Sequence, residues 1–194
     1  MKKTDIIATP IWKTILTFAC ALAYLGASTV RFPSLGVYDV GFGYTVLTAA
    51  ALAFGPLTAA ISGTAGQLVY DYVFNGTGDM IIPALTCFIA GLLIGMFRNT
   101  AANLAERTAK RYPRFPDPVT FMHVFFASMA VAVGDMYVKS LIEMATVHEP
   151  FMDRMIANVD LMAAHCAACA IGFIIWNICR KIAGKIKSMR VDKN

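Results

Sequence analysis

Charge is scarce in this chain. Of its 194 residues 12 are acidic and 17 basic, a charged share of 15%, where soluble domains carry about 25%. So little charge, beside so much apolar content, lies outside the usual range for a soluble domain. Low-complexity tracts, polar linkers and clear internal repeats are lacking as well, so the chain reads as one domain, 1–194. Cysteine is limited to Cys20, Cys87, Cys166, Cys169 and Cys179, each inside an apolar run, which leaves no disulfide framework.

Catalytic signatures are also missing. There is no Gly-rich phosphate loop, no Ser nucleophile in a turn motif and no metalloprotease His pair on a helix. The chain is therefore not read as an enzyme and has no means of hydrolysing ATP. His165, Cys166 and Cys169 approach a metal-ligand spacing, but a structural zinc site needs four ligands and no second pair accompanies them. A c-type haem needs its histidine after the Cys-x-x-Cys, and here it comes before. No metal or cofactor is expected.

What the sequence has in abundance is apolar surface: 58% of the residues are hydrophobic and the mean hydropathy is +0.61. The apolar runs fall at about 11–30, 38–53, 56–74, 81–97, 120–146 and 154–179, most of them near the roughly 17–25 residues that a crossing helix needs. The expectation is an all-α integral membrane protein, a six-transmembrane-helix bundle. The N-terminus resembles a secretory signal, but Lys13 interrupts its apolar region, so it is read as the first helix. Between the fourth and fifth runs, 98–120 is expected to be the one sizeable loop, because Pro113, Pro116 and Pro118 stop a helix from continuing through it. Threading six spans puts nearly all the lysines and arginines on one side, with Arg31, Lys139 and Arg154 as the exceptions. By the positive-inside rule both termini are cytoplasmic and the protein is a multi-pass component of the cell membrane. Topology and lipid headgroups then account for the net charge of +5, and nucleic-acid binding is not needed to explain it.

Polar residues inside the spans are the candidates for function. Asp135, Lys139 and Glu143 follow one another at i, i+4 and i+8, within about 80° on a helix; Ser128 and Thr146 extend the stripe. Asn158 and His165 share a face of the sixth span, and Thr64, Gln67 and Asp71 share one on the third. Almost all lie in the half of the membrane away from the cytoplasm. Ionisable groups at such depth face a bundle interior or a wet cavity. An outward-open polar pocket between the third, fifth and sixth spans would satisfy them. The plainer reading is an Asp135–Lys139 ion pair and interhelical hydrogen bonds serving as glue. Eight acidic residues against three basic ones in that half lean toward a neutral or cationic solute. On the first span Ala19, Ala23 and Ala27 form a smooth strip, suited either to packing within the chain or to docking another subunit.

The stretch 33–96 carries a resemblance. Its Pro-Ser-Leu-Gly before the second span, Phe54-Gly55-Pro56-Leu57 at the next turn, the Gly/Ala-rich third span with Asp71 near its end, and the spaced Gly91 and Gly95 are similar to the substrate-binding S components of energy-coupling factor (ECF) transporters. Ala19, Ala23 and Ala27 match that family's Ala-x-x-x-Ala motif. The resemblance implies capture of a vitamin-like small molecule from outside, in a pocket lined mainly by the last three helices. The loop between the first two, with Arg31 and Tyr38, would gate it. It further implies docking of the alanine strip onto a transmembrane coupling (T) component driven by two cytoplasmic ATPases. Where many relatives have Gly-Asp in the third helix, this chain has Gly66-Gln67. On both grounds the expected solute contacts are Asp135, Lys139, Glu143, Asn158, His165, Gln67 and Asp71, joined by Arg31 and Tyr38. Two alternatives are a proton-coupled secondary transporter using Asp135 and Glu143, and a membrane-embedded enzyme or sensor.

Overall fold

A computed structural model describes residues 10–30, 42–76, 80–111 and 118–191. The helices among them are α1 (Pro10–Thr29), α2 (Gly43–Phe54), α3 (Pro56–Tyr70), a π-helical turn (Asp71–Asn75), α4 (Ile81–Met96), α5 (Arg98–Arg111), α6 (Pro118–Val147), α7 (Phe151–Ala157) and α8 (Val159–Val191). No strand occurs among the described residues. Two helical stretches, Ile11–Thr29 and Met162–Gly184, are long and apolar enough to cross a membrane; α2 and α4 are apolar but shorter.

Three expectations about the elements need correcting. The second run was read as 38–53, but α2 begins only at Gly43 and has 12 residues, about 18 Å of helix; residues 31–41 are outside the described part. The loop 98–120 holds a helix in its first half. Prolines disturb only the turn just before them, so Pro113 leaves the segment ahead of it free, and Arg98–Arg111, RNTAANLAERTAKR, is built from strong helix formers. The sixth run, read as 154–179, is broken at Asn158 into α7 and an α8 that continues to Val191.

Turn chemistry explains how the chain reverses. Gly55 has φ +103 and caps α2, and Pro56 occupies the first position of α3, where its missing N–H costs nothing. The turn expected at Gly55-Pro56 is therefore present. After α1, the Phe42 N–H donates to the carbonyls of Ala27 and Val30, both at 3.1 Å, seating the start of α2 on the end of α1.

Small residues bring the helices together. Gly91 of α4 lies against the backbone of Ala59 and Ala60, and Gly95 against Pro56, so the first turns of α3 and the last turns of α4 are in backbone contact. Gly66 of α3 meets Tyr24 and Ala21 of α1, and Gly172 of α8 meets Thr45 of α2. Helix α2 is central, touching α1, α3, α4 and α8, while α6 packs on α4 and α8. The buried set is rich in Ala, Cys, Ser and Thr, whereas large side chains such as Phe18, Leu57, Val69, Met96 and Ile182 lie on the surface. A soluble domain has the opposite arrangement.

These contacts give the bundle two ends. The upper end holds the C-termini of α1, α3 and α6 and the N-termini of α2, α4 and α8; the lower end holds the α2–α3 turn, α5 and the last turns of α8.

Candidate functional site

Polar side chains collect near the upper end in two groups. The first spans five helices. Tyr24 of α1 donates its hydroxyl proton to Gln67 Oε1 at 2.8 Å, and Gln67 Nε2 donates to Asp71 Oδ2 at 2.9 Å. Cys87 Sγ of α4 lies 3.0 Å from Tyr24 Oη and 3.9 Å from both Tyr44 Oη and Gln67 Oε1. The Tyr44 ring of α2 stacks on the His165 imidazole of α8, centroids 3.6 Å apart and planes at 21°.

Donor and acceptor directions in this group follow from one residue. Gln67 turns its NH2 toward the Asp71 carboxyl group and its carbonyl toward Tyr24. Tyr24 must then give its single proton to Gln67, and the Cys87 thiol supplies the donor for the Tyr24 oxygen. Asp71 is only 4% exposed, and its place at the first residue of the π turn keeps it one helical turn from Gln67. π turns inserted in α-helices are frequent at functional sites.

The second group joins α6 to the α7–α8 junction. Asn158 Nδ2 donates to Ser140 Oγ at 3.1 Å and to Glu143 Oε2 at 3.0 Å, while Lys139 Nζ lies 3.5 Å from Glu143 Oε1. Asn158 is 1% exposed, whereas the Lys139 and Glu143 side chains keep 20% and 17%. The asparagine is a buried brace, and the charged pair remains reachable. Asn158 also sits where α8 begins, its carbonyl accepting from the Met162 N–H at 3.1 Å. Asn158→Ala is expected to cost about 1–3 kcal/mol, because the brace to Glu143 and Ser140 is lost. Asn158→Asp should cost more, since it sets a second carboxylate against Glu143. Thermal unfolding of the detergent-solubilised protein measures both, and an Asp variant as stable as wild type would contradict this arrangement.

The fates of the expected residues differ. Gln67 and Asp71 are hydrogen-bonded to each other, as their spacing implied, but Thr64 is turned to backbone carbonyls of Ala60 and Ala84. Lys139 is paired with Glu143; its expected pairing with Asp135 of α6 lies outside the described part, because the Asp135 side chain does. Thr146 bonds back to its own helix and is exposed. Asn158 and His165, expected to share one face, belong to different groups: Asn158 precedes α8 and serves α6, and His165, 6% exposed, serves α2. Arg31 and Tyr38 lie outside the described residues.

The pocket expected between the third, fifth and sixth spans takes another form. Among the described residues α3 does not touch α6 or α8. Helix α2 stands between α3 and α8, with Tyr44 as the link, and α4 stands between α3 and α6. The residues missed in the sequence are accordingly Tyr24, Tyr44, Cys87 and Ser140. Tyrosine and cysteine count as apolar in hydropathy, and that hid three of them; the i, i+4, i+8 alignment of Cys20, Tyr24 and Ser28 beside the alanine strip was the available signal. All five cysteines are free, and among the described residues no three metal-ligating side chains converge. No protein-family model, curated protein or solved structure matches the chain.

Proposed function

We propose that this chain is the substrate-capture subunit of an ECF-type transporter, taking up a vitamin-like small polar molecule with energy supplied by partner ATPases. The observation that carries the reading is a segregation: buried polar and ionisable groups gather at the upper end of a bundle whose flanks are apolar, and the basic residues gather at the lower end. Large side chains outside and small ones inside suit a bilayer, where helices associate through close backbone contact because lipid offers no hydrophobic drive.

In this reading α1, α2, α3 with its π turn, α4, α6 and α8 are the six crossings and both termini are cytoplasmic. The short α2 is tolerable because α1, α3, α4 and α8 surround it, so protein rather than lipid meets its ends. The upper end faces outside. A solute arriving there meets the Lys139–Glu143 pair on one side and Gln67 with Asp71 on the other, with Tyr44 and His165 between. Asp135, Arg31 and Tyr38 complete the set. Ala19 and Ala23 are exposed and Ala27 is half-buried, while the neighbouring Cys20, Tyr24 and Ser28 do the packing within the chain. That outward strip favours docking of the coupling (T) component over internal packing.

Two experiments test the reading. Native mass spectrometry of the purified protein should find a stoichiometric small molecule that is lost from Glu143→Ala. A ligand-free protein that also fails to associate with a coupling subunit would sink the proposal. Ala23→Leu should leave ligand capture within twofold of wild type, since the residue touches no site group, yet reduce ATP-dependent uptake about tenfold or more by blocking close helix approach. Uptake by this protein alone in vesicles would favour the proton-coupled alternative.

A further inference from the structure

Basic residues crowd the lower end beyond what either polar group uses. Helix α5 carries Arg98, Arg107, Lys110 and Arg111 against a single acid, Glu106. The end of α8 carries Arg180, Lys181, Lys185, Lys187 and Arg190 with no acid. The fold joins the two. Arg180 Nη1 donates to the Ala102 carbonyl of α5 at 3.1 Å, and its guanidinium lies 5.7 Å from the Trp176 ring. Arg98 reaches the α2–α3 turn, 3.3 Å from where a Cβ on Gly55 would stand.

Just above this basic level lies an apolar collar. Phe54, Leu57, Met96, Phe97 and Ile178 are exposed and come from the turn, from the end of α4 and from α8. Arg98 and Lys181 are exposed directly beyond them. Apolar side chains followed at once by cations, on several elements at one height, match the boundary between acyl chains and headgroups. An acidic protein surface would account for the cations but not for the collar.

We infer that the α5–α8 junction is a binding site for anionic phospholipid headgroups. Arg98 and Lys181 would contact the phosphate, and Arg180 holds α5 in register with α8. This rests on the bilayer part of the proposed function and is independent of the solute. Each cation near an anionic surface strengthens headgroup attraction, and salt screens it.

Trp176 provides a reporter, once Trp12 is replaced by Phe. The full chain is reconstituted in phosphatidylcholine vesicles with about 20 mol % phosphatidylglycerol, an ordinary anionic content, with bromine on the acyl chains of one lipid or the other. Brominated phosphatidylglycerol should quench Trp176 as though enriched about threefold to tenfold beside it. The enrichment should fall toward unity in Arg98→Gln/Lys181→Gln and in high salt. Equal quenching by both lipids would overturn the inference while leaving membrane insertion intact, and is the outcome expected if the cations instead serve an acidic protein. Quenching by neither lipid would overturn both the inference and the bilayer reading. A preference unchanged in the double variant would place the lipid elsewhere and overturn the site.

Discussion

Gly91→Val is expected to abolish a stable fold or to cost at least about 3 kcal/mol, the upper part of the range for overpacking. A Cβ on Gly91 would stand 2.6 Å from Ala60 N, 2.7 Å from Ala60 Cα and 2.9 Å from Ala59 C. Every one of those atoms is backbone, so no side chain can rotate away. The clash forces α3 and α4 apart, and their seam positions Gln67 against Cys87. Gly134→Ala on α6 is the matched control: among the described residues nothing lies within 4 Å of a Cβ there, and replacing a helical glycine should stabilise by about 0.5–1 kcal/mol. Heating the solubilised variants and measuring the surviving monodisperse fraction by size exclusion checks both signs. If Gly91→Val melted like wild type, α3 and α4 could not be packed as described.

Asp71→Ala should have the largest effect on solute capture, weakening it at least about tenfold, equivalent to roughly 1.4 kcal/mol. The loss begins with Gln67, whose Nε2 then has no carboxylate to meet. Free to turn over, the Gln67 amide no longer dictates that Tyr24 donates to it, and the order running through Cys87 toward Tyr44 is lost. Asp71→Asn keeps the shape and an acceptor oxygen while removing the charge, so it should fall between wild type and Ala. Stability should drop by about 1–3 kcal/mol in the Ala variant, the cost of leaving buried polar groups unpaired. Binding of the co-purified ligand, followed by calorimetry or native mass spectrometry, distinguishes the three proteins. Equal affinity in all of them would remove Asp71 and its network from the site.

The elements could be read to different degrees. Helices α1, α3, α4 and α6 follow the apolar runs closely, because an uninterrupted run long enough to bury itself has few alternatives to helix. The Gly55-Pro56 turn was legible from two residues whose backbone preferences are local. Helix α5 was not legible because its composition is polar and three prolines follow it closely. The break at Asn158 was missed because a single capping residue inside an apolar run leaves hydropathy almost unchanged.

For the candidate site, periodicity alone gave the shared face of Gln67 and Asp71 and the Lys139–Glu143 spacing, since both are relations within one helix. The separation of Asn158 from His165 and the roles of Tyr24, Tyr44, Cys87 and Ser140 were beyond it.

By itself, then, the sequence determined the helical class, the apolar character, the polarity of charge along the chain and the contacts between residues one helical turn apart. These are local quantities, set by composition and the 3.6-residue repeat. Only the tertiary structure decided that α2 stands at the centre, that the alanine strip of α1 faces outward, and that polar groups from six helices form two separate clusters. Each of those depends on how neighbouring helices are rotated about their axes. That rotation is settled by where glycine and alanine let two backbones meet, and one chain's pattern does not say which of its smooth faces finds which partner.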